Sequence, residues 1–143
     1  MANLVDHAIG AQRMVPKALG AHGDIDATGD DLAAVWTTVR AAADVALSSP
    51  GALDQTVTLP FGEMSASDGL GFPFGDLLVH TWDLARAIGA NDRLLPEAYT
   101  IVLAKLEPMD GVIRWPGIFG PKLQPAADAD IQDQHLAFLG RQI

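Results

Sequence analysis

The sequence predicts a mainly α-helical protein: a helical bundle with a small β-hairpin inserted, and a Pro/Gly-rich loop followed by a short helix towards the C-terminus. Three observations predict it. Apolar residues return every three or four positions through most of the chain. The only alternating stretch is a short one fenced by Pro and Gly. Finally, 49% hydrophobic against 19% charged residues in a 143-residue chain is a globular balance, with enough apolar material for one core. We therefore read a single domain, 1–143, without internal repeats or low-complexity tracts.

The first helix is predicted over 2–21, where Leu4, Ala8, Ala11, Val15 and Ala18 recur at helical intervals. Pro16 must kink or break it, because its ring removes one backbone hydrogen bond. A second helix is predicted over 29–48, after Thr28 and with acidic residues in its first turn, carrying Leu32, Val35, Trp36, Val39 and Val45. Pro50 and Gly51 end it. The alternation from Gln55 to Leu59, then Pro60, Gly62 and a second short stretch, reads as a hairpin. Helical spacing resumes from Ser67 to Ile88, bent near Pro73 and stopped by Gly89. Further helices are predicted over 95–106, beginning near Pro96, and 131–140, ending at Gly140. Between them Gly111, Pro116, Gly117, Gly120, Pro121 and Pro125 make a constrained loop.

Composition excludes several functions. Eighteen acidic against nine basic residues give a formal charge of -9, and no stretch gathers Lys or Arg, so nucleic acid is not an expected partner. There is no Cys, which removes disulfides, thiolate metal sites and a cysteine nucleophile. Asp6, His7, Arg13 and Lys17 interrupt the first twenty residues, unlike the apolar run of a signal peptide. No segment reaches the roughly 18 apolar residues that span a bilayer. The expectation is a cytoplasmic protein with no membrane partner.

Candidate chemistry lies where polar residues interrupt apolar faces. Wound at about 100° per residue, Asp76, His80 and Asp83 fall within roughly 60° of one another. Phe72, Val79, Leu77 and Leu84 flank them, so the polar groups sit in a stripe expected to be buried. Two carboxylates beside an imidazole need a counter-charge there, which a divalent cation supplies. The same construction on the first helix sets His7 in an apolar arc with Leu4, Ala11, Met14 and Ala18, facing the core. A carboxylate and a His four residues apart, met by a His from another helix, is how helical bundles build internal metal sites. With three ligands a position stays open, as in catalytic zinc sites; the donors accept Zn, Ni, Fe or Mn.

Plainer readings stand beside these. A lone core His is more often hydrogen-bonded than a ligand, and Asp76 with His80 is also a sound pair within one helix. Asp83 reads first as an acceptor that orients an imidazole, then as a partner of Arg86 or a further ligand. His22 and His135 read as ordinary structural residues, Trp36 and Trp82 as packing. Glu63 reads either as a solvated turn residue or as an acid near the site.

The run from Asp76-Leu-Leu-Val-His80 through Thr81-Trp-Asp-Leu-Ala-Arg86 to Gly89, with Val5-Asp-His7 through Arg13, resembles the DinB-like metal-binding superfamily. Within it the chain is most similar to the mycothiol-dependent maleylpyruvate isomerase-like branch. Pro60-Phe-Gly-Glu63 and the ending from Ala129-Asp130 through Phe138 to Arg141 carry the resemblance across nearly the whole chain. It implies a four-helix bundle with one metal, zinc first, on His7, Asp76 and His80. It further implies a metal-activated low-molecular-weight thiol such as mycothiol, used for S-transfer or isomerisation of a small electrophilic substrate. Asp83 would orient a ligand, and Arg86 or Arg13 would attract a substrate carboxylate. A metal-water enzyme and a non-catalytic small-ligand bundle are the alternatives. The family has a long helix before the His-bearing one, whereas here only Met1 to Asn3 precede it. Leu4, Val5 and Ile9 are accordingly expected to face water and to be covered in a homodimer.

Overall fold

The computed structural model describes residues 2–21, 27–59, 62–114 and 119–143. Its architecture is mainly α-helical with one two-stranded antiparallel hairpin, as the apolar periodicity predicts. The elements are α1 (Ala2–Ala18), α2 (Leu32–Leu47), β1 (Thr56–Leu59), β2 (Gly62–Ser65), α3 (Ala66–Gly69), α4 (Gly71–Ile88), α5 (Pro96–Leu106), α6 (Asp110–Ile113) and α7 (Ile131–Phe138). A 3-10 turn at Glu107–Met109 links α5 to α6, so part of the expected loop is helical. Its Pro116 and Gly117, like His22 and the Pro60-Phe61 pair, lie outside the described residues. The chain forms two compact units, Met1–His80 and Thr81–Ile143.

In the first unit α1 packs along α2. Ile9, Val35 and Val39 form a buried cluster, joined by Val5, Ala27, Leu32 and Trp36. Pro16 does not break α1, which runs on to Ala18. The second helix starts later than Thr28 implies. Asp31 is its cap, its carboxylate accepting the Ala33 and Ala34 N–H groups at 3.1 Å each, which satisfies two of the donors that a helix start leaves unpaired.

β1 pairs with β2 in the register Thr56↔Ser65, Val57↔Met64, Thr58↔Glu63 and Leu59↔Gly62. Alternation turns Val57 and Leu59 inward, 2% and 8% exposed, into a cluster with Val15, Ala43, Ala66 and Leu70. The helix expected over 67–88 is divided at Leu70. Ser65 caps the short α3, and α4 begins afresh, with Pro73 in its first turn, where its missing N–H costs nothing. The interruption therefore precedes the proline.

Of the patch expected to face water on α1, Leu4 and Val5 are half-buried and Ile9 is buried. Ile9 is 2% exposed and belongs to the α1–α2 core, because α2 covers that side of the helix.

In the second unit α5 packs on α7, burying Tyr99, Val102 and Leu106 together with His135, Leu136 and Leu139. Asp130 caps α7 by accepting the Asp133 N–H at 2.9 Å, and Arg93 donates to Asp130 and Asp133 at 3.0 and 2.8 Å. Gln132 accepts from Leu94 N–H and donates to the Asp92 carbonyl, pinning the segment before α5. Gly89 (φ 68°) and Gly140 (φ 81°) end α4 and α7 in the left-handed conformation. At Gly140 a Cβ would also stand 2.8 Å from the Pro121 carbonyl oxygen. Among the described residues no helix is long and apolar enough to cross a membrane.

Candidate metal centre

Helical spacing puts Asp76 and His80 one turn apart on α4, and the fold of the first unit brings His7 of α1 to them. His7 Nε2 lies 3.1 Å from Asp76 Oδ1, and His80 Nε2 lies 3.4 Å from that same oxygen. The two imidazoles meet edge to face, their centroids 4.9 Å apart at 88°. One ligand atom from each residue can be chosen so that all lie within 4.8 Å of one another. Donors held at about 2.1 Å from one ion would be roughly 3.4 Å apart, a separation that Asp76 Oδ1 already keeps from each imidazole Nε2.

Asp76 Oδ2 gives a second indication. It is buried and has no hydrogen-bond partner among the described residues, and a buried carboxylate oxygen left unpaired is costly. Burial by itself raises the Asp76 pKa. Hydrogen bonds to His80 and His7, with their charges, outweigh it and hold the carboxyl below its ordinary value. The anionic form, the one that ligates metal, is thus favoured. The donor set of two imidazoles and one carboxylate suits zinc and its borderline neighbours.

His7 does not face the core as expected. Its side chain is 56% exposed, against 21% for Asp76 and 16% for His80. The buried side of α1 is set by Ile9, Gln12, Val15 and Pro16, and His7 is turned roughly 150° from its middle at helical winding. The arc expected from Leu4, Ala11, Met14 and Ala18 lies at the margin of that side, where Leu4, Ala11 and Ala18 are half-buried and Met14 is exposed. The centre is consequently open to solvent on its His7 side.

The other candidates are placed differently. Asp83 accepts from Arg141, with Nε 3.0 Å from Oδ1 and Nη2 2.9 Å from Oδ2. Arg86 reaches Asp92 at 3.3 Å and lies over the Trp82 ring at 5.2 Å. The triad that could hold an ion contains His7, Asp76 and His80, and not Asp83. Arg13 donates to the Ala27 carbonyl. Glu63 sits on β2, exposed, opposite Thr58, and His135 is fully buried beneath Tyr99. Arg141 is the residue that sequence reasoning missed as the partner of Asp83. It lies 58 positions away, and no local pattern marks it.

Two curated Mycobacterium tuberculosis proteins are similar to this chain, named "Uncharacterized protein MT0763" (strain CDC 1551 / Oshkosh) and "Uncharacterized protein Rv0738" (strain ATCC 25618 / H37Rv). Each is 31% identical over 143 residues, covering 99% of this chain and 79% of the relative. No protein-family model matches the chain, and no solved structure matches it at a significant level.

Proposed function

We propose, for a chain that belongs to the same family as the uncharacterized proteins MT0763 and Rv0738 of Mycobacterium tuberculosis, a metal-dependent enzyme with one divalent ion on His7, Asp76 and His80. The observation that carries this reading is the Asp76 carboxylate: one oxygen is shared by two imidazoles, and the other is buried without a partner among the described residues. Zinc is the first choice, with nickel, iron or manganese also suited to the donors.

The two imidazoles would bind as neutral ligands, and Asp76 would neutralise part of the ion's charge. His7, Asp76 and His80 would hold a divalent ion, which would supply a lowered pKa to a bound thiol or water. The chain has no Cys, so a reactive sulfur must come from a low-molecular-weight thiol. The resemblance to the mycothiol-dependent branch of the DinB-like superfamily favours that cosubstrate, and with it S-transfer or isomerisation of a small electrophile. The exposed edge of His7 supports access by such a molecule. Cytoplasmic residence is part of the same proposal, since thiols are kept reduced there.

The test is elemental analysis of protein purified without chelators and reloaded with Zn or Ni. One ion per chain, lost in His80→Ala, is the expected result. Failure of the wild type to take up stoichiometric metal overturns the reading. Turnover of an electrophile that requires added thiol separates thiol chemistry from hydrolysis or addition by metal-activated water. Metal binding with neither activity would favour a ligand-binding role.

A further inference from the structure

Gly10 stands in the interior of α1, three residues after His7 and exposed. Glycine is among the weakest helix formers, so an interior helical glycine calls for a reason. Packing offers none here. Beyond the adjoining helix backbone, a Cβ at Gly10 would meet no atom within 4 Å among the described residues, and Gly10 is not one of the glycines with positive φ. Gly69 shows the contrast within the same unit, since a Cβ there would stand 2.7 Å from Leu59 Cδ1.

The direction of helical side chains supplies a reason. They lean towards the helix N-terminus, so a side chain at position 10 would lie back over the turn that carries His7. His7 is the exposed member of the triad, 56% against 21% and 16%. A side chain at 10 would therefore lie over the His7 side of the centre, its most exposed side. We propose that Gly10 is a specificity-determining position, keeping that flank clear for an organic ligand larger than water, of the size of a low-molecular-weight thiol. The proposal rests on the metal reading above.

The experiment compares Co(II)-loaded wild type with Gly10→Ala and Gly10→Leu, reading the cobalt spectrum on titration with azide and with glutathione. Ala and Leu both favour helix over Gly, so both variants should fold, and Gly10→Ala should melt at a higher temperature. Cobalt uptake and the azide response should match the wild type in both. The apparent glutathione affinity should fall by about tenfold or more in Gly10→Leu and little in Gly10→Ala. An undiminished glutathione response in Gly10→Leu overturns the proposal. So does a wild type that binds cobalt but shows no glutathione response, or an azide response lost in step with the glutathione response. A wild type that takes up no cobalt overturns the metal reading itself, a failure visible before either probe is added.

Discussion

Asp83 and Arg141 form a two-pronged ion pair, Nε to Oδ1 at 3.0 Å and Nη2 to Oδ2 at 2.9 Å. Both side chains are about three-quarters buried, with 22% and 27% exposed. This geometry is the stronger kind of ion pair, because two parallel hydrogen bonds fix the planes of both groups. It ties α4 to the segment following α7, within the second unit.

The pair makes Asp83→Ala a stability variant. The expected loss is about 1–2 kcal/mol in urea unfolding, with a double-mutant cycle against Arg141→Ala returning most of it as coupling. Metal stoichiometry should be unchanged. A variant of normal stability but weaker metal affinity would return Asp83 to the role of orienting an imidazole.

Metal removal should destabilise the protein. An ion that binds only the folded state, present at about a hundred times its dissociation constant, adds about 2.7 kcal/mol. Scanning calorimetry should show a lower melting temperature in chelator, recovered by readdition of zinc. His80→Ala should melt at one temperature with or without chelator. An identical curve for the stripped and loaded wild type would reduce Asp76 with its two histidines to a structural polar cluster.

Acid should weaken the second unit through His135. Burial pushes this imidazole from 6.5 down to about 4, and neither ring nitrogen has a hydrogen-bond partner among the described residues. Burial pushes the neighbouring Tyr99 hydroxyl, which also has no hydrogen-bond partner among the described residues, up to about 12. The unfolded chain takes up the His135 proton first, near pH 6.5, so stability falls as pH drops from there to about 4 and levels off below. At about 1.4 kcal/mol per unit the full loss is about 3 kcal/mol. Urea unfolding across this range should show the slope in the wild type and a flatter profile in His135→Leu. Equal slopes would assign the acid sensitivity elsewhere.

The hairpin docks on α3 through the missing side chain of Gly69. A Cβ there would stand 2.7 Å from Leu59 Cδ1 and 3.2 Å from both Met64 Cγ and Val57 Cγ2. Gly69→Val should cost about 1–3 kcal/mol by overpacking. Hydrogen exchange should find the loss of protection first in Thr56–Leu59. A neutral substitution would mean that the two strands can shift away from the helix without loss.

Ile9→Asp tests where the α1 surface belongs. With Ile9 2% exposed against Val35 and Val39, a carboxylate there should cost about 3 kcal/mol or more at every protein concentration. Loss of stability only on dilution would instead mark Ile9 as a subunit contact. Sedimentation of the wild type is the direct measurement of the homodimer that the sequence leads us to expect.

Local period is what the sequence by itself determined. It set the helical segments, the hairpin alternation that turns Val57 and Leu59 inward, the stops at Gly89 and Gly140, and the shared face of Asp76 and His80. Each follows from backbone geometry within a few residues, so each is legible without knowing what the rest of the chain does. Caps were less legible because neighbouring candidates compete: Asp31, not Thr28, has the backbone N–H groups of α2 within its reach. Tertiary structure alone decided which faces meet. His7 reaches Asp76 across 69 positions, from a side of α1 turned away from its core, and Arg141 takes Asp83 across 58. The period of one helix fixes which side chains share a face, but the partner of that face depends on how distant segments exclude water from one another. That is why the triad was found in the sequence while its openness, and the pairing of Asp83, were not.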